Sequence, residues 1–434
     1  MKRKIIAILI ALIMVISLAA CGTGNTSSVT SSDTGYSSGT KTTTNAQTTS
    51  TALDTSAEFT DRDLEQVADT SDATSYTLED GKDITITEEG VYVVSGSAKN
   101  ATIIVDADDA AKVQIVLSDV TITNDSAPAI YVRSADKVFV TTTGDNKLTV
   151  SGDFESDDET NLDAVIFSKD DLTLNGTGTL TISSTDNGVS CKDDLKITGG
   201  TINITCTADA LEANDSIAIA DGSITIKTNK DGLHAEYDED DSVGYIYIAG
   251  GILNITSDDD GIHATTVVKI DGGTINISAH EGIEGTCIQI NDGTIEIDAS
   301  DDGINAGQKS KQISIGVEIN GGDITIDMGQ GDTDAIDSNG DLTLAGGTLT
   351  INAQSPFDYD GQLTFTGTKL IVNGTETTSV QNQVMGGGAA GMGGKGSMNP
   401  GGPDAVTGAT QGSDPSQGGQ EPPSGDRGGP GKRG

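Results

Sequence analysis

The chain has 434 residues, of which 66 are acidic and 24 are basic, and its formal net charge is −42. This charge argues against a nucleic-acid-binding protein, because such a protein needs a basic surface to neutralise phosphates. Apolar residues make up only 34% of the chain, which disfavours one large core. The 56 glycines and the short alternating runs of Ile, Val, Leu and Thr indicate many short strands joined by turns.

The first 21 residues are typical of an export signal. Three basic residues precede the apolar run Ile5–Ala20, which is shorter than the roughly 20 residues of a membrane span. The run ends in the sequence Leu-Ala-Ala-Cys, which resembles the bacterial lipobox, and its cysteine is Cys21. We therefore predict a signal peptide over 1–21 and an extracytoplasmic lipoprotein, anchored in the cell membrane through Cys21 and facing the cell surface.

Two low-complexity segments flank the part of the chain that is able to fold. Residues 22–57 are rich in Ser and Thr and predict a disordered linker, and residues 386–434 are rich in Gly and Pro and predict a disordered tail. Between them lies a body of about 58–385, in which we predict an N-terminal cap with the first β coils over 58–150 and repeated coils with a ladder of acids over 151–385. The negative charge belongs to this ordered part, because residues 22–385 hold 62 of the acids.

Eight similar turn–strand units recur in the second half of the chain. Each unit of about 20–29 residues contains three short strand-like pieces, which need the next unit to complete a sheet. Stacked units of this length predict a parallel β-helix with three strands per coil and about 4.8 Å between coils. A β-sandwich over 58–150 followed by the helix is the alternative. One buried aliphatic column is predicted to comprise Ile202, Ile224, Leu253, Ile275, Ile295, Ile324 and Leu349.

The third piece of each coil carries the pattern acid, small residue, aliphatic residue, polar residue, as in Asp231-Gly-Leu-His234. Alternation along a strand turns the aliphatic residue inward, so we predict that the small and the final polar residues point outward. A strip of Gly and Ala would then let a ligand approach the backbone closely. The predicted outward column is Ser190, Glu212, His234, His263, Glu284, Asn305 and Asp337.

Stacked carboxylates about 5 Å apart repel one another, and a hard cation between them removes that repulsion. Calcium prefers six to eight oxygen ligands, which carboxylates and turn carbonyls supply, whereas zinc and copper prefer clusters of His and Cys. The sequence therefore predicts bound Ca2+. We expect two cages formed from the acids of this repeated piece. One comprises Asp209, Glu212 and Asp231, and the other comprises Glu281, Glu284, Asp302, Asp334 and Asp337. The predicted metal ligands are Asp209, Glu212, Asp231, Asp260, Glu281, Glu284, Asp302, Asp334 and Asp337.

Two longer coils carry insertions at equivalent positions, Glu236–Gly244 and Gly307–Ser314. We expect these loops to wall a groove whose floor is the column of His and acidic residues. Tyrosines in and after the first loop are candidates for stacking on a sugar ring. The predicted carbohydrate-binding residues are Lys230, His234, Tyr237, Tyr245, His263 and Asn305.

Several stretches of the body resemble one family. They are Gly90–Gly96, Ile115–Val120, Ala164–Leu172, Asn175–Leu180 and Leu195–Gly200, together with the Asp-Gly-aliphatic repeats. Over about 58–380 the chain resembles the carbohydrate-binding-domain lipoproteins of bacteria, whose right-handed parallel β-helix is similar to that of calcium-dependent pectate lyases. The resemblance implies binding of plant cell-wall polysaccharide, pectin-like or cellulose-like, with bound calcium. It carries over no catalytic residue.

We therefore expect a monomeric, non-catalytic protein that binds acidic or cellulose-like glycans through a calcium-containing groove. A calcium-dependent lyase acting on polygalacturonate is the first alternative. Such an enzyme needs a Lys or Arg base, but no Arg occurs between Arg133 and Arg427 and Lys is sparse. The second alternative is a structural adhesin or spacer in which calcium serves stability alone.

Overall fold

The computed structural model describes residues 53–157, 160–237, 239–329 and 333–382. The predicted signal peptide, Cys21, the linker up to residue 52 and the Gly/Pro-rich tail lie outside these ranges. Within the described ranges, no helix has the length and hydropathy to cross a membrane.

The described residues form 34 β-strands. The first seventeen are β1 (Thr74–Thr77), β2 (Ile84–Ile86), β3 (Gly90–Lys99), β4 (Ile103–Asp106), β5 (Lys112–Asn124), β6 (Ile130–Ser134), β7 (Lys137–Thr143), β8 (Asp145–Val150), β9 (Ala164–Ser168), β10 (Asp171–Gly176), β11 (Thr179–Ser183), β12 (Asn187–Cys191), β13 (Asp194–Ile197), β14 (Thr201–Thr205), β15 (Leu211–Ala213), β16 (Ser216–Ile219) and β17 (Ser223–Lys227). The others are β18 (Leu233–Ala235), β19 (Tyr245–Ile248), β20 (Ile252–Thr256), β21 (Ile262–Ile270), β22 (Thr274–Ala279), β23 (Ile283–Ile290), β24 (Thr294–Ala299), β25 (Ile304–Ala306), β26 (Gly316–Ile319), β27 (Asp323–Met328), β28 (Ile336–Ser338), β29 (Asp341–Leu344), β30 (Thr348–Asn352), β31 (Asp358–Tyr359), β32 (Leu363–Phe365), β33 (Lys369–Val372) and β34 (Thr375–Thr377).

Each strand pairs in parallel with the equivalent strand of the next coil, which gives three long parallel sheets. Sheet A contains β1, β3, β5, β7, β10, β13, β16, β19, β21, β23, β26, β29 and β32. Sheet B contains β3, β5, β8, β11, β14, β17, β20, β22, β24, β27, β30 and β33. Sheet C contains β2, β4, β6, β9, β12, β15, β18, β21, β23, β25, β28 and β31.

The predicted parallel β-helix with three strands per coil is confirmed. Long strands such as β5 and β21 turn a corner and contribute to two sheets. The strands between 74 and 150 join the same solenoid, so the alternative β-sandwich is wrong. At the C-terminal end β34 pairs antiparallel with β33 through an Asn373-Gly374 turn, in which both residues have positive φ.

The core is made of aliphatic columns that run along the helix axis. The column predicted from Ile202 to Leu349 lies in register in sheet B, and each of its members is at most 3% exposed. Each buried Ile or Leu contributes about 1.5–3 kcal/mol relative to an exposed one. Cys191 and Cys206 are buried thiols that pack within this core, and Cys287 is also buried.

The small residue of each acid–small–aliphatic–polar unit faces the core, so the predicted open strip of Gly and Ala is wrong. A Cβ on Gly261 would lie 2.4 Å from Cγ2 of Ile277 and 2.6 Å from the carbonyl oxygen of Gly282. The chain turns from sheet B into sheet C at this position, which sets the small residue against the isoleucines of sheet B. The buried small residues are Gly188, Ala210, Gly232, Gly261, Gly282, Gly303 and Ala335.

Residues Leu53–Gln66 form an N-terminal strap that crosses sheet A from later coils to earlier ones. The carbonyl oxygen of Leu53 accepts a hydrogen bond from Lys269 at 3.1 Å. The carboxylate of Asp63 lies 2.7 Å from Nζ of Lys137, and Gln66 donates to the carbonyl oxygen of Thr198 at 3.0 Å. The strap therefore occupies the lysine-bearing surface of sheet A.

The middle of the strap is held by an aromatic contact and an ion pair. Phe59 stacks on Tyr247 with ring centroids 6.0 Å apart. Glu58 lies 3.1 Å from Nζ of Lys196 and accepts a hydrogen bond from the Tyr245 hydroxyl at 2.9 Å. Sheet A is therefore covered over these coils, which leaves the surfaces of sheets B and C.

We predict that Asp63→Asn destabilises the protein by about 3–5 kcal/mol, because it leaves buried Lys137 without its counterion. Burial raises the pKa of Asp63, but hydrogen bonds from Lys137 and Thr60 outweigh it and lower the pKa to about 2. A depressed pKa stabilises the fold above the ordinary value of 3.8, and this contribution is lost as the pH falls from about 4 to about 2.

Urea denaturation at pH 7 and pH 3 measures this contribution. The control is Asp61→Asn, which changes an exposed carboxylate two residues away. An equal loss of stability in both variants at pH 7 would contradict the role assigned to the ion pair.

Candidate functional site

The outward column predicted for the third strand of each coil is present on sheet C. Registered pairs join Ser190 to Glu212, His234, His263, Glu284, Asn305 and Asp337 in consecutive coils. The column continues to Asp358 at its C-terminal end and to Phe167 and Tyr131 at its N-terminal end. Sheet C therefore carries one line of polar and charged side chains, which ends on its N-terminal side in the buried aromatic rings of Phe167 and Tyr131.

The acids beside this column form a second line, and their side chains bind the backbone of the next coil. Oδ1 of Asp209 accepts a hydrogen bond from the backbone N–H of Asp231 at 3.0 Å. The same contact joins Asn187 to Asp209, Asp231 to Asp260, and Asp302 to Asp334. One oxygen of each of these side chains thus closes a turn. Asn187, which begins this line, is the sequence signal of this role, because its amide oxygen accepts the same hydrogen bond without carrying a charge.

Lysines neutralise the N-terminal half of the two lines. Lys192 lies 3.0 Å from Glu212, Lys230 lies 3.2 Å from Asp209, and Lys309 lies 2.6 Å from Glu284. Burial lowers the pKa of Lys230, but the contact with Asp209 outweighs it and the pKa is raised. The ion pair with Asp209 therefore favours the charged form of Lys230.

Two histidines occupy the centre of the column. The rings of His234 and His263 are 4.9 Å apart between centroids, with an interplanar angle of 53°. Nδ1 of His263 lies 2.9 Å from Asp260 and 3.0 Å from Glu284. Nδ1 of His234 lies 3.2 Å from Asp209.

Burial lowers the pKa of both histidines, but the neighbouring carboxylates outweigh it. Hydrogen bonds with Asp209 and Glu236 raise the pKa of His234 to about 10. Those with Asp260 and Glu284 raise the pKa of His263 to about 9. Both rings are therefore imidazolium ions at neutral pH, which extends the row of cations along the column.

The C-terminal half of the lines is different. Among the described residues, no basic side chain forms an ion pair with Asp302, Asp337 or Asp358. Burial, with Asp337 and Glu281 nearby, raises the pKa of Asp302 to about 7. Burial, with Asp358 nearby, raises the pKa of Asp337 to about 6. Among the described residues, these carboxylates of the last coils therefore have no basic partner that offsets their repulsion.

A groove of about 370 Å³ lies beside the column at the first long loop. Its lining residues are Lys192, Glu212, Asn214, His234, Glu236, Tyr237 and Glu239. Glu212, His234 and Tyr237 were predicted from the sequence and are brought together here. Lys192, Asn214 and Glu236 were missed, although each lies two residues after an outward residue of the column in its coil.

The two inserted loops contact each other, but the loop residues that line the groove, Glu236, Tyr237 and Glu239, all come from the first loop. Asp241 of the first loop accepts a hydrogen bond from the backbone N–H of Lys311 at 3.1 Å. Gln312 of the second loop lies 3.5 Å from the same carboxylate. Lys309 of the second loop also reaches Glu284 of the column, so the loops join the groove to the floor residues.

The other predicted carbohydrate-binding residues have different positions. Lys230 reaches Asp209 at the edge of the column, and Asn305 donates a hydrogen bond to Glu281 at 3.0 Å. Tyr245 lies in sheet A beneath the N-terminal strap, where it donates to Glu58. The structure therefore does not bring Tyr245 into the groove, because the strap takes the surface on which this ring lies.

The predicted calcium cages are regrouped in the structure. Asp209 and Glu212 are engaged by Lys230, His234 and Lys192. The carboxylate-only group on sheet C comprises Asp231, Asp259 and Asp260, each offering an oxygen within 4.8 Å of the other two. Its donors fit a hard cation, since calcium binds oxygen ligands. The unpaired carboxylates of the last coils fit such an ion for the same reason.

Comparison with known proteins gives matches to one family. A family model described as "Carbohydrate-binding domain-containing protein" matches residues 80–335 and 278–384. A carbohydrate-binding domain-containing protein of Acetivibrio thermocellus is 37% identical over 124 residues, which are 27% of this chain and 43% of that protein. The matched segment thus spans less than half of that relative.

A solved structure is also similar. It is the polysaccharide lyase-like protein from C. thermocellum in a gadolinium derivative, with 30% sequence identity and a TM-score of 0.47. The match covers 51% of this chain and 96% of that chain. Because the family model covers most of the β-helix, including sheet C and its groove, the chain belongs to the carbohydrate-binding domain-containing protein family.

Proposed function

We propose that this protein is a non-catalytic binder of plant cell-wall polysaccharide, pectin-like or cellulose-like, which it holds in the groove on sheet C. The observation that carries the proposal is the set of side chains around that groove, in a chain of a carbohydrate-binding family. Lys192 and Asn214 donate hydrogen bonds to sugar hydroxyls, and Glu212 accepts them. The ring of Tyr237 packs against the apolar face of a sugar.

An acidic glycan is attracted by the cations of the column rather than by the molecule as a whole. The net charge of the chain is −42, so a polyuronate is repelled at long range. Lys192, Lys230 and the two imidazolium rings offset the carboxylates in the N-terminal half of sheet C, so the repulsion is weaker there. These cations favour uronate carboxylates at short range, where bound calcium adds a further bridge.

Calcium is part of the proposal. Asp302, Asp337 and Asp358 would hold it, because none of these three carboxylates forms an ion pair with a lysine or histidine among the described residues. Asp337 and Asp358 occupy adjacent coils in register. The ion would supply positive charge that offsets their repulsion and would present open positions to a carboxylate of the glycan.

The protonation state of Lys230, the candidate catalytic base, disfavours a lyase. Proton abstraction beside a uronate carboxylate needs a neutral amine, hence a lowered pKa. The contact between Lys230 and Asp209 instead raises the pKa of the lysine. The geometry therefore supports binding without cleavage.

We expect the purified body to retain polygalacturonate in a calcium-containing buffer without releasing unsaturated product. Glu212→Gln and Tyr237→Ala should each weaken the affinity about tenfold, which is about 1.4 kcal/mol, because each removes a direct contact with the sugar. Retention on immobilised polygalacturonate and ultraviolet absorbance of the product measure the two effects.

The matched control is Glu296→Gln, an exposed carboxylate on sheet B. Absorbance that rises with time would show a lyase. An equal loss of affinity in the control would show that the glycan binds elsewhere, and no retention at all would leave a structural role.

Calcium should raise the melting temperature of the wild-type body and strengthen its binding of polygalacturonate. The double variant Asp302→Asn and Asp337→Asn should lose most of the thermal shift, because it removes two of the proposed oxygen ligands. Calorimetry with and without a chelator measures the shift, and Asp298→Asn on sheet B is the control. A wild-type melting temperature that chelation leaves unchanged would rule out the calcium site.

The full chain should be found in the membrane fraction of the cells that make it, attached through a lipid on Cys21. Cys21→Ser removes the thiol that carries the lipid and should move the protein to the soluble extracytoplasmic fraction. Fractionation followed by mass spectrometry of the N-terminal peptide measures both effects, with Ser27→Ala as the control. Membrane retention of the Cys21→Ser variant would contradict the anchor.

A further inference from the structure

The two stacked histidines form a feature that glycan binding does not require. His234 and His263 are registered partners in adjacent coils and provide two of the three imidazoles in the chain. One ligating nitrogen of each ring lies within 4.8 Å of one of the other. Two donors on one zinc ion are at most about 4.2 Å apart, since each zinc–nitrogen bond is about 2.1 Å. The two rings must therefore move closer together to bind one ion.

Both rings present the same edge to one carboxylate. Oε2 of Glu236 lies 3.1 Å from Nε2 of His234 and 3.9 Å from Nε2 of His263. Glu236 begins the first inserted loop, and its side chain is 41% exposed. The point between the three atoms is thus open to the solvent of the groove.

The opposite edge of each ring is fixed by another carboxylate. Nδ1 of His234 faces Asp209 at 3.2 Å, and Nδ1 of His263 faces Asp260 at 2.9 Å. A histidine that binds a metal almost always directs its other ring nitrogen to such a partner, which fixes the tautomer and the ring orientation. Both histidines therefore have the surroundings of metal ligands.

We propose that Nε2 of His234, Nε2 of His263 and the carboxylate of Glu236 bind a divalent transition metal ion of the zinc class. Two imidazoles and one carboxylate are donors that suit zinc, iron or nickel rather than calcium, which prefers oxygen alone. The site is therefore distinct from the calcium site proposed at Asp302 and Asp337, although the acidic composition of the chain favours hard cations overall.

Carboxylates surround the site. Asp209, Asp260 and Glu284 each lie within 3.2 Å of a ring nitrogen of His234 or His263, and their negative charge attracts a divalent cation. Three protein ligands leave at least one coordination position open toward the groove.

Titration of the calcium-saturated full chain with zinc chloride in a calorimeter tests the proposal. We expect one zinc ion per chain, bound in the presence of excess calcium. His263→Ala and Glu236→Gln should each weaken zinc binding by about 100-fold or more, because each removes a ligand. His280→Ala is the matched control, since it removes the third imidazole, which is half exposed and lies off the column.

Equal zinc affinity in wild type and His263→Ala, loss of binding in His280→Ala alone, or full competition by calcium would overturn the proposal. A zinc anomalous peak in wild-type crystals provides a test that does not depend on how the variants fold. A peak between the two rings supports the site, and a peak only elsewhere rejects it. Glycan retention is measured without zinc, so the proposed glycan binding and the proposed zinc site are tested independently.

Discussion

Parallel stacking of coils in register is the constraint on which the rest of this molecule depends. Hydrogen bonds between equivalent strands place the same position of every coil directly above the last, about 4.8 Å apart. Aliphatic positions therefore become continuous buried columns, which stabilises a chain that is only 34% apolar. The same geometry stacks the acids, and their repulsion must be offset. Two kinds of contact offset it in the N-terminal half. Side-chain oxygens such as that of Asp231 accept hydrogen bonds from backbone N–H groups, and lysines and histidines pair with acids of neighbouring coils.

The two halves of sheet C differ in whether basic side chains offset the charge of the acids, and the proposed binding chemistry follows from this difference. Around His234 the protein supplies its own cations, and the inserted loop adds the groove with Tyr237 and Glu236. Around Asp337 the described residues supply no such partner, so an external hard cation is favoured there. The N-terminal strap takes sheet A, since Asp63 and Glu58 pair with the lysines of that surface.

The fold and the outward column were predictable because they depend on a repeat visible in the sequence. The columns through Ile202 and through His234 follow from the period of the coils alone. The orientation of the small residues was not predictable, because the corner between sheets B and C shifts the alternation at Gly261. The position of Tyr245 depends on the strap, whose contact through Glu58 joins residues 187 positions apart. Pairings such as Lys192 with Glu212 depend on side-chain reach between coils, which the repeat pattern does not encode.

The central claim is that glycans bind the groove on sheet C. A second groove of about 440 Å³ on sheet B, lined by Asn254 and Asn276 among others, is the competing surface. A crystal structure of the body with calcium and a short oligogalacturonide distinguishes the two most directly. Our account predicts sugar density against Tyr237, Glu212 and Lys192. Sugar density confined to sheet B, with the groove on sheet C occupied by solvent, would contradict it.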